Sequence, residues 1–303
     1  MRVAITGASG LIGTALVEEL RRHGYEVQRL VRGEPRTAAP DEVRWNPDAG
    51  YVDLERLEGV DGVVHLAGAG IGDRPWTAAH RRRVLDSRVT GTGTLATALT
   101  QLERPPSVLV SQSGIHYYGD TGAREVDETA PRGDGFLPSV CVAWEAAAEP
   151  ARVAGIRVVH PRTGLVMTRR GGLLPRLLLP FRLGLGARLG DGRQYMPPIS
   201  LADEVRAVRF LLEHDEISGP VNLVVPRAIT NAEFTTMLGG IVSRPALLRV
   251  PQLPLRVADK LLANQLTELL LYSLRARPQR LLEAGFAYEH PEVDDVLRWA
   301  VKN

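Results

Sequence analysis

Lysine is nearly absent. Of the 37 basic residues in this 303-residue chain only Lys260 and Lys302 are lysines, so chemistry that needs an ammonium group elsewhere in the fold must do without it. Cysteine is rarer still. Cys141 alone excludes an internal disulfide framework and a cysteine-based zinc site, and fits a reducing compartment such as the cytoplasm. No charge of one sign dominates: the formal net charge is +2 and the arginines are spread along the chain, which argues against a nucleic-acid or membrane surface. Long hydrophobic runs are missing too, because the richest leucine stretch is interrupted by Arg176, Pro180, Arg182 and Arg188. The histidines show no i, i+4 pair or carboxylate cluster of metal-ligand spacing, so no metal is expected. A GxSxG elbow and a Gly-Lys phosphate loop are likewise lacking.

What is present is alternation. Short β-branched runs at 2–6, 25–31, 42–45, 62–67, 107–111 and 156–160 read as strands. Helical patterns at 11–23 (closed by Gly24), 77–99 and 139–153 lie between them. Such alternation calls for a parallel sheet covered on both faces. The expected class is α/β, a Rossmann-type doubly wound parallel sheet with a smaller, mainly helical C-terminal lobe. After Gly164 the pattern changes: a leucine-rich helix falls within 171–192, a clean helix at 202–213 and a strand at 220–225. The tail is helical, with openings at Asn231 and at Pro291-Glu292. The expected division is a nucleotide-binding domain over 1–165, with 199–225 returning to it, and a substrate lobe made of 166–198 and 226–303.

The first strand runs into Thr6-Gly7-Ala8-Ser9-Gly10-Leu11-Ile12-Gly13, a GxxGxxG turn that opens the first helix. Gly7 suits a tight turn, Gly10 lets backbone approach a pyrophosphate, and Gly13 allows close helix packing. With Ser9, Leu11 and Ile12 these residues form the expected phosphate-contacting set, since amides at a helix start favour an anion. The second strand ends Leu30-Val31-Arg32-Gly33, with no acid until Glu34. A carboxylate at that strand end would hold ribose hydroxyls and repel a 2′-phosphate, whereas Arg32 offers charge-assisted bonds to one. Arg36 is a second candidate. The expected cofactor is NADP(H).

Further phrases carry a resemblance: HLAGAGI at 65–71, SRVTGT at 87–92, YYGD at 117–120, WEAAA at 144–148, PFRLGLG at 180–186, GDGRQ at 190–194 and RPQRLLEAGF at 277–286. Together with TGASGLIG at 6–13 they run almost the whole chain. The sequence resembles the extended short-chain dehydrogenase/reductases, and within them the branch of epimerase family proteins. That resemblance implies that Leu66, Ala67 and Gly68 underlie the adenosine side. It also implies that Arg88 and Arg83 reach the cofactor from the following helix, and that Leu165 and Val166 approach the nicotinamide. One departure follows GDGRQ, where the branch tends to show an aromatic–Ile–His series and this chain has Met196-Pro197-Pro198-Ile199-Ser200.

The superfamily exchanges its proton through Tyr-x-x-x-Lys on one helix plus a Ser or Thr from the fifth strand. Aligned here, Cys141 stands in the tyrosine position, Glu145 in the lysine position and Gly114 in the serine position, with Ser113 beside it. Candidate replacements are Tyr117 as proton donor and Glu145 as carboxylate base. His116 and Tyr118 lie beside Tyr117, and Cys141 reads as a small buried hydrophobe. The segment 183–194 is expected to close over the cleft. Arg182, Arg188 and Arg193 there suggest an anionic small-molecule substrate, such as a sugar nucleotide. Two function classes stay open: an oxidoreductase or epimerase-like enzyme on a small carbonyl or nucleotide-sugar-like substrate, and an NADP(H)-binding sensor or scaffold without turnover.

Overall fold

The period-two pattern of the first strand sets the layers. Val3 and Ile5 point to one face of the sheet and Ala4 to the other, and all three are fully buried, as a parallel sheet sandwiched by helices requires. The computed structural model describes residues 1–33, 39–251, 257, 259 and 267–303. Arg36 lies outside the described residues.

The chain runs β1 (Arg2–Thr6), α1 (Leu11–Arg22), β2 (Glu26–Val31), β3 (Glu42–Asn46), β4 (Tyr51–Val52), α2 (Leu54–Leu57) and β5 (Gly62–His65). Next come α3 (Ala78–Leu99), β6 (Val108–Ser111), β7 (Ser113–Gly114), α4 (Phe136–Ala146), α5 (Glu149–Val153) and β8 (Arg157–Thr163). The main sheet has the order β13-β8-β6-β5-β1-β2-β3-β4, where β13 is Gly219–Leu223. Neighbours are parallel except β3 with β4. Strand order reverses between β1 and β5, which leaves a crevice at their carboxyl ends, the usual ligand position in such sheets.

One helical expectation changes in detail and another holds. The helix expected over 139–153 begins earlier, at Phe136, because Pro138 sits in the first turn, where its missing N–H has no intrahelical partner to lose. It also breaks at Ala147–Ala148: Pro150 in the first turn of α5 cannot donate to the preceding turn. Gly91 and Gly93 do not interrupt α3, which is capped by Thr77 accepting from the His80 amide.

Beyond β8 come β9 (Leu165–Met167), α6 (Leu174–Arg182), β10 (Ala187–Leu189), β11 (Tyr195–Met196), β12 (Pro198–Ser200) and α7 (Leu201–Glu213). The helix α7 packs against α1, and β13 extends the main sheet beside β8. The remaining elements are β14 (Ile229–Thr230), α8 (Asn231–Ile241), β15 (Leu248–Val250) and the helices Gln279–Glu283 and Val293–Lys302. A separate core of Leu174, Leu178, Phe181, Phe234, Leu238, Val296 and Leu297 joins α6, α8 and the C-terminal helix.

Candidate functional site

The turn after β1 is shaped by contact with β5. Gly7 has φ +69°, and a Cβ there would stand 2.9 Å from the Ala67 amide nitrogen. At Gly13 a Cβ would lie 2.1 Å from the Gly7 carbonyl oxygen, so the glycine lets α1 rest on the turn itself rather than on the strand. Gly10 is the N-cap of α1, carries no side-chain cap and precedes a first turn without acidic residues. The helix start is therefore free to meet an anion. Thr6 fastens the crevice from below: its Oγ1 accepts from the Leu66 and Ala67 amides at 3.2 Å and pairs with His65 Nδ1 at 2.7 Å. Burial pushes the His65 imidazole down to about 3, with the nearby Arg88 charge adding, so His65 is neutral.

Two cavities flank this turn. One, of about 580 Å³, lies over Gly7–Gly10, Leu30–Arg32, Trp45 and Leu66–Gly68. Two arginines border it and they differ. Arg29 is held by Asp41 at 2.7 and 2.8 Å, whereas Arg32 is exposed and has no ion-pair partner among the described residues. Glu42, at the start of β3, also borders this cavity and lies 3.4 Å from Arg29; nothing in the sequence pattern had marked it.

The second cavity, of about 450 Å³, runs from Gly10–Gly13 past Leu66 and Gly68–Ile71 to Gln112–Gly114, Cys141, Thr163 and Val166. Arg88 borders it as expected, but as a strut: its Nη1 donates to the Ala69 carbonyl at 2.9 Å and the Val84 carbonyl at 3.1 Å. Its guanidinium stacks 4.7 Å from the Trp144 ring centre. Arg83 differs from expectation. It is exposed and borders neither cavity, because five residues along a helix from Arg88 its side chain leaves from another face. Val166 borders the second cavity, while Leu165 turns to a third.

The relay positions are filled by a different network. Arg162, on β8 and almost wholly buried, grips Glu145 with Nε to Oε1 at 2.8 Å and Nη2 to Oε2 at 2.9 Å. Ser113 Oγ donates to the same Oε1 at 2.7 Å. Arg162 Nη1 also donates to the Tyr118 hydroxyl at 2.9 Å, which donates onward to Asn222 Oδ1 at 2.8 Å. Burial opposes the Arg162 charge, but its bonds to Glu145 and Tyr118 hold the guanidinium above its ordinary range. Glu145 is thus not the free carboxylate base expected: both its oxygens are occupied. Tyr117, expected as proton donor, lies with its ring centre 3.4 Å from the Arg162 guanidinium carbon and borders none of the three cavities. Cys141 donates weakly to the Gly114 carbonyl, and burial, aided by the Glu145 charge, pushes its thiol up to about 12. It behaves as the packing residue its lone occurrence suggested.

The residue that does occupy the junction is His116, passed over in favour of Tyr117. The 3₁₀ turn Ile115–Tyr118 buries Ile115 and Tyr118 and leaves His116 facing the space between the lobes. His116 borders both the second cavity and the third, a mostly apolar chamber in the C-terminal lobe. Among the described residues its Nε2 is closed off from solvent without a hydrogen-bond partner, and burial pushes the imidazole down to about 4. None of Arg182, Arg188 and Arg193 borders any of these three cavities.

A parallel sheet with a glycine turn at its switch point and a second lobe over the strand ends defines a dinucleotide-binding α/β protein of the extended short-chain dehydrogenase/reductase class. The chain belongs to the NAD dependent epimerase/dehydratase family, whose pattern matches residues 3–225, and falls in its branch of epimerase family proteins. Residues 250–300 match a domain of unknown function, DUF1731. An epimerase family protein of Mycobacterium tuberculosis is 45% identical over 298 residues, covering 98% of this chain and 97% of the relative. The Homo sapiens epimerase family protein SDR39U1 is 36% identical over 98% of this chain and 99% of its own length. A crystal structure of human SDR39U1 (isoform 2) with NADPH superposes with TM-score 0.89 at 33% identity, covering 100% of both chains. A nucleoside-diphosphate sugar epimerase from Corynebacterium glutamicum gives TM-score 0.79 at 30% identity, covering 99% of this chain and 59% of that one.

Proposed function

We propose that the protein is an NADP(H)-dependent oxidoreductase of the epimerase-like kind, acting on a small carbonyl or alcohol compound. The observation that carries the reading is the pairing of an uncapped, acid-free start of α1 with an exposed Arg32, just past the end of β2, that has no ion-pair partner among the described residues. Human SDR39U1, solved with NADPH, supports it by similarity. The residues fit the cofactor: a side chain at Gly7 would push the turn off Leu66–Ala67, one at Gly13 would push α1 off the turn, and Gly10 at the helix start borders both cavities. Gly10, Leu11 and Ile12 would hold the pyrophosphate, Arg32 the 2′-phosphate, and Gln112–Gly114 with Val166 would bound the nicotinamide side. Bound there, NADP(H) supplies or accepts a hydride. The Arg162–Glu145 pair keeps Ser113 and β8 in place and holds no proton for exchange.

The test is titration of wild-type protein with NADPH and NADH, followed by incubation with aldehydes, ketones and sugar nucleotides. Nicotinamide absorbance reports net reduction, and product analysis catches an epimerisation that recycles its cofactor. Tighter NADPH binding and turnover are expected; equal affinities would remove the role given to Arg32. The presence of Cys141, Glu145 and Gly114 at the three relay positions favours a second reading, an NADP(H)-binding sensor. Strong NADPH binding with no product from any compound would select it.

A further inference from the structure

The chamber beyond His116 has a composition that the proposed reaction does not explain. It encloses about 170 Å³, bounded by Leu177 and Phe181 of α6 together with Leu189, Met196, Phe234 and Leu274. Among the described residues that border it none is an Asp, Glu, Lys or Arg. A diphosphate enclosed there would meet no cation among the described residues, and an unpaired buried charge is far too costly to hold. The volume is close to the ~150 Å³ of an apolar cavity that accepts benzene. The chamber also lies next to the cofactor cleft, with His116 as their common wall.

We propose that this chamber is the substrate pocket for an uncharged carbonyl compound bearing a compact apolar group of about six carbons, with His116 Nε2 hydrogen-bonding the carbonyl oxygen at the mouth. The proposal rests on the oxidoreductase reading for its carbonyl and on the chamber's own geometry for the apolar group. The His116 ring is neutral at neutral pH, so it offers a polar contact without bringing a charge into the chamber. Met196 borders the chamber with a flexible, polarisable side chain.

The experiment measures binding by calorimetry, with and without NADP⁺, for methyl ketones from 2-butanone to 2-nonanone, for acetophenone and its carbonyl-free counterpart ethylbenzene, and for UDP-glucose. Affinity should rise about fourfold per methylene until the apolar group fills the space, then level off. Acetophenone should bind more tightly than ethylbenzene, and His116→Leu should erase that difference while keeping the chain-length trend. Ala187→Phe, which fills the chamber from β10, should weaken acetophenone at least tenfold and leave NADPH affinity within twofold; Leu177→Trp serves if the first variant does not fold. Affinity independent of chain length, or UDP-glucose competing with acetophenone, would overturn the proposal. Failure of NADPH to bind alongside a normal ketone series would instead overturn the oxidoreductase reading and leave the chamber assignment standing.

Discussion

Arg29 and Arg32 stand three residues apart near the end of β2 and have different tasks. The first is committed to Asp41, and this pairing holds the Asp41 carboxyl below its usual range. The second is uncommitted among the described residues and so available for a phosphate. Losing a charge-assisted contact costs about 1.5–3 kcal/mol, so Arg32→Ala should reduce the NADPH-over-NADH preference by roughly ten- to a hundredfold. Fluorescence titration of both cofactors measures it. Arg162 and Glu145 form the opposite case, a pair whose value lies in its completeness. Glu145→Ala leaves a buried guanidinium with Tyr118 as its remaining hydrogen-bond partner among the described residues, and breaking such a pair costs roughly 3–5 kcal/mol. A fall in unfolding free energy of that size, read from a urea titration, is expected. Glu145→Gln, which keeps an acceptor, should fall less.

At the scale of elements, Glu204 in the first turn of α7 joins that helix to the end of β8. It is fully buried, accepts from Thr163 Oγ1 at 2.7 Å, and burial pushes its carboxyl up to about 8. The folded protein therefore keeps this proton while the unfolded chain releases it above about pH 4.5. Bound protons are then more numerous in the folded state, so this group's contribution to stability falls as pH rises from about 4.5 to about 8 and is constant above. Chemical denaturation across that range should show Glu204→Gln gaining stability relative to wild type with rising pH; a constant difference would refute the buried-acid assignment. Gly13→Ala tests a second junction, since its Cβ would displace α1 from the turn and NADPH affinity should drop sharply. Elements and their order were legible in the sequence because β1, α1 and β2 carry strong periodicity and glycine punctuation. The vacant relay was legible for the same reason: Cys141 and Glu145 share a helix face. Their partners were not. Arg162 reaches Glu145 from a strand 17 residues on, and no local pattern announces a contact between β8 and α4. His116 looked like a loop residue because only the 3₁₀ turn decides which of three neighbouring rings faces the cleft.

The whole molecule is tied together at Asp203. Completely buried at the start of α7, it accepts from the Glu289 amide at 2.8 Å, the His290 amide at 2.9 Å and Arg206 Nη1 at 2.8 Å. Ser200, the α7 N-cap, pairs with His290 Nδ1 at 3.0 Å, so a residue of the tail meets the strand that closes the second lobe. The same α7 packs against α1, whose N-terminus is the proposed phosphate site. Loosening the tail therefore strips the completely buried Asp203 side chain of two of its hydrogen-bond donors, and the C-terminal helix cannot leave without uncovering Val296 and Leu297. The lobes should unfold together. A single calorimetric transition is expected, and NADPH at a hundredfold excess over its Kd adds about 2.7 kcal/mol to all of it, raising the midpoint by roughly 5 °C. Asp203→Ala should lower that transition without splitting it. Two separate transitions in the wild-type protein, with NADPH moving only one, would mean that the Asp203 contacts are too weak to couple the lobes.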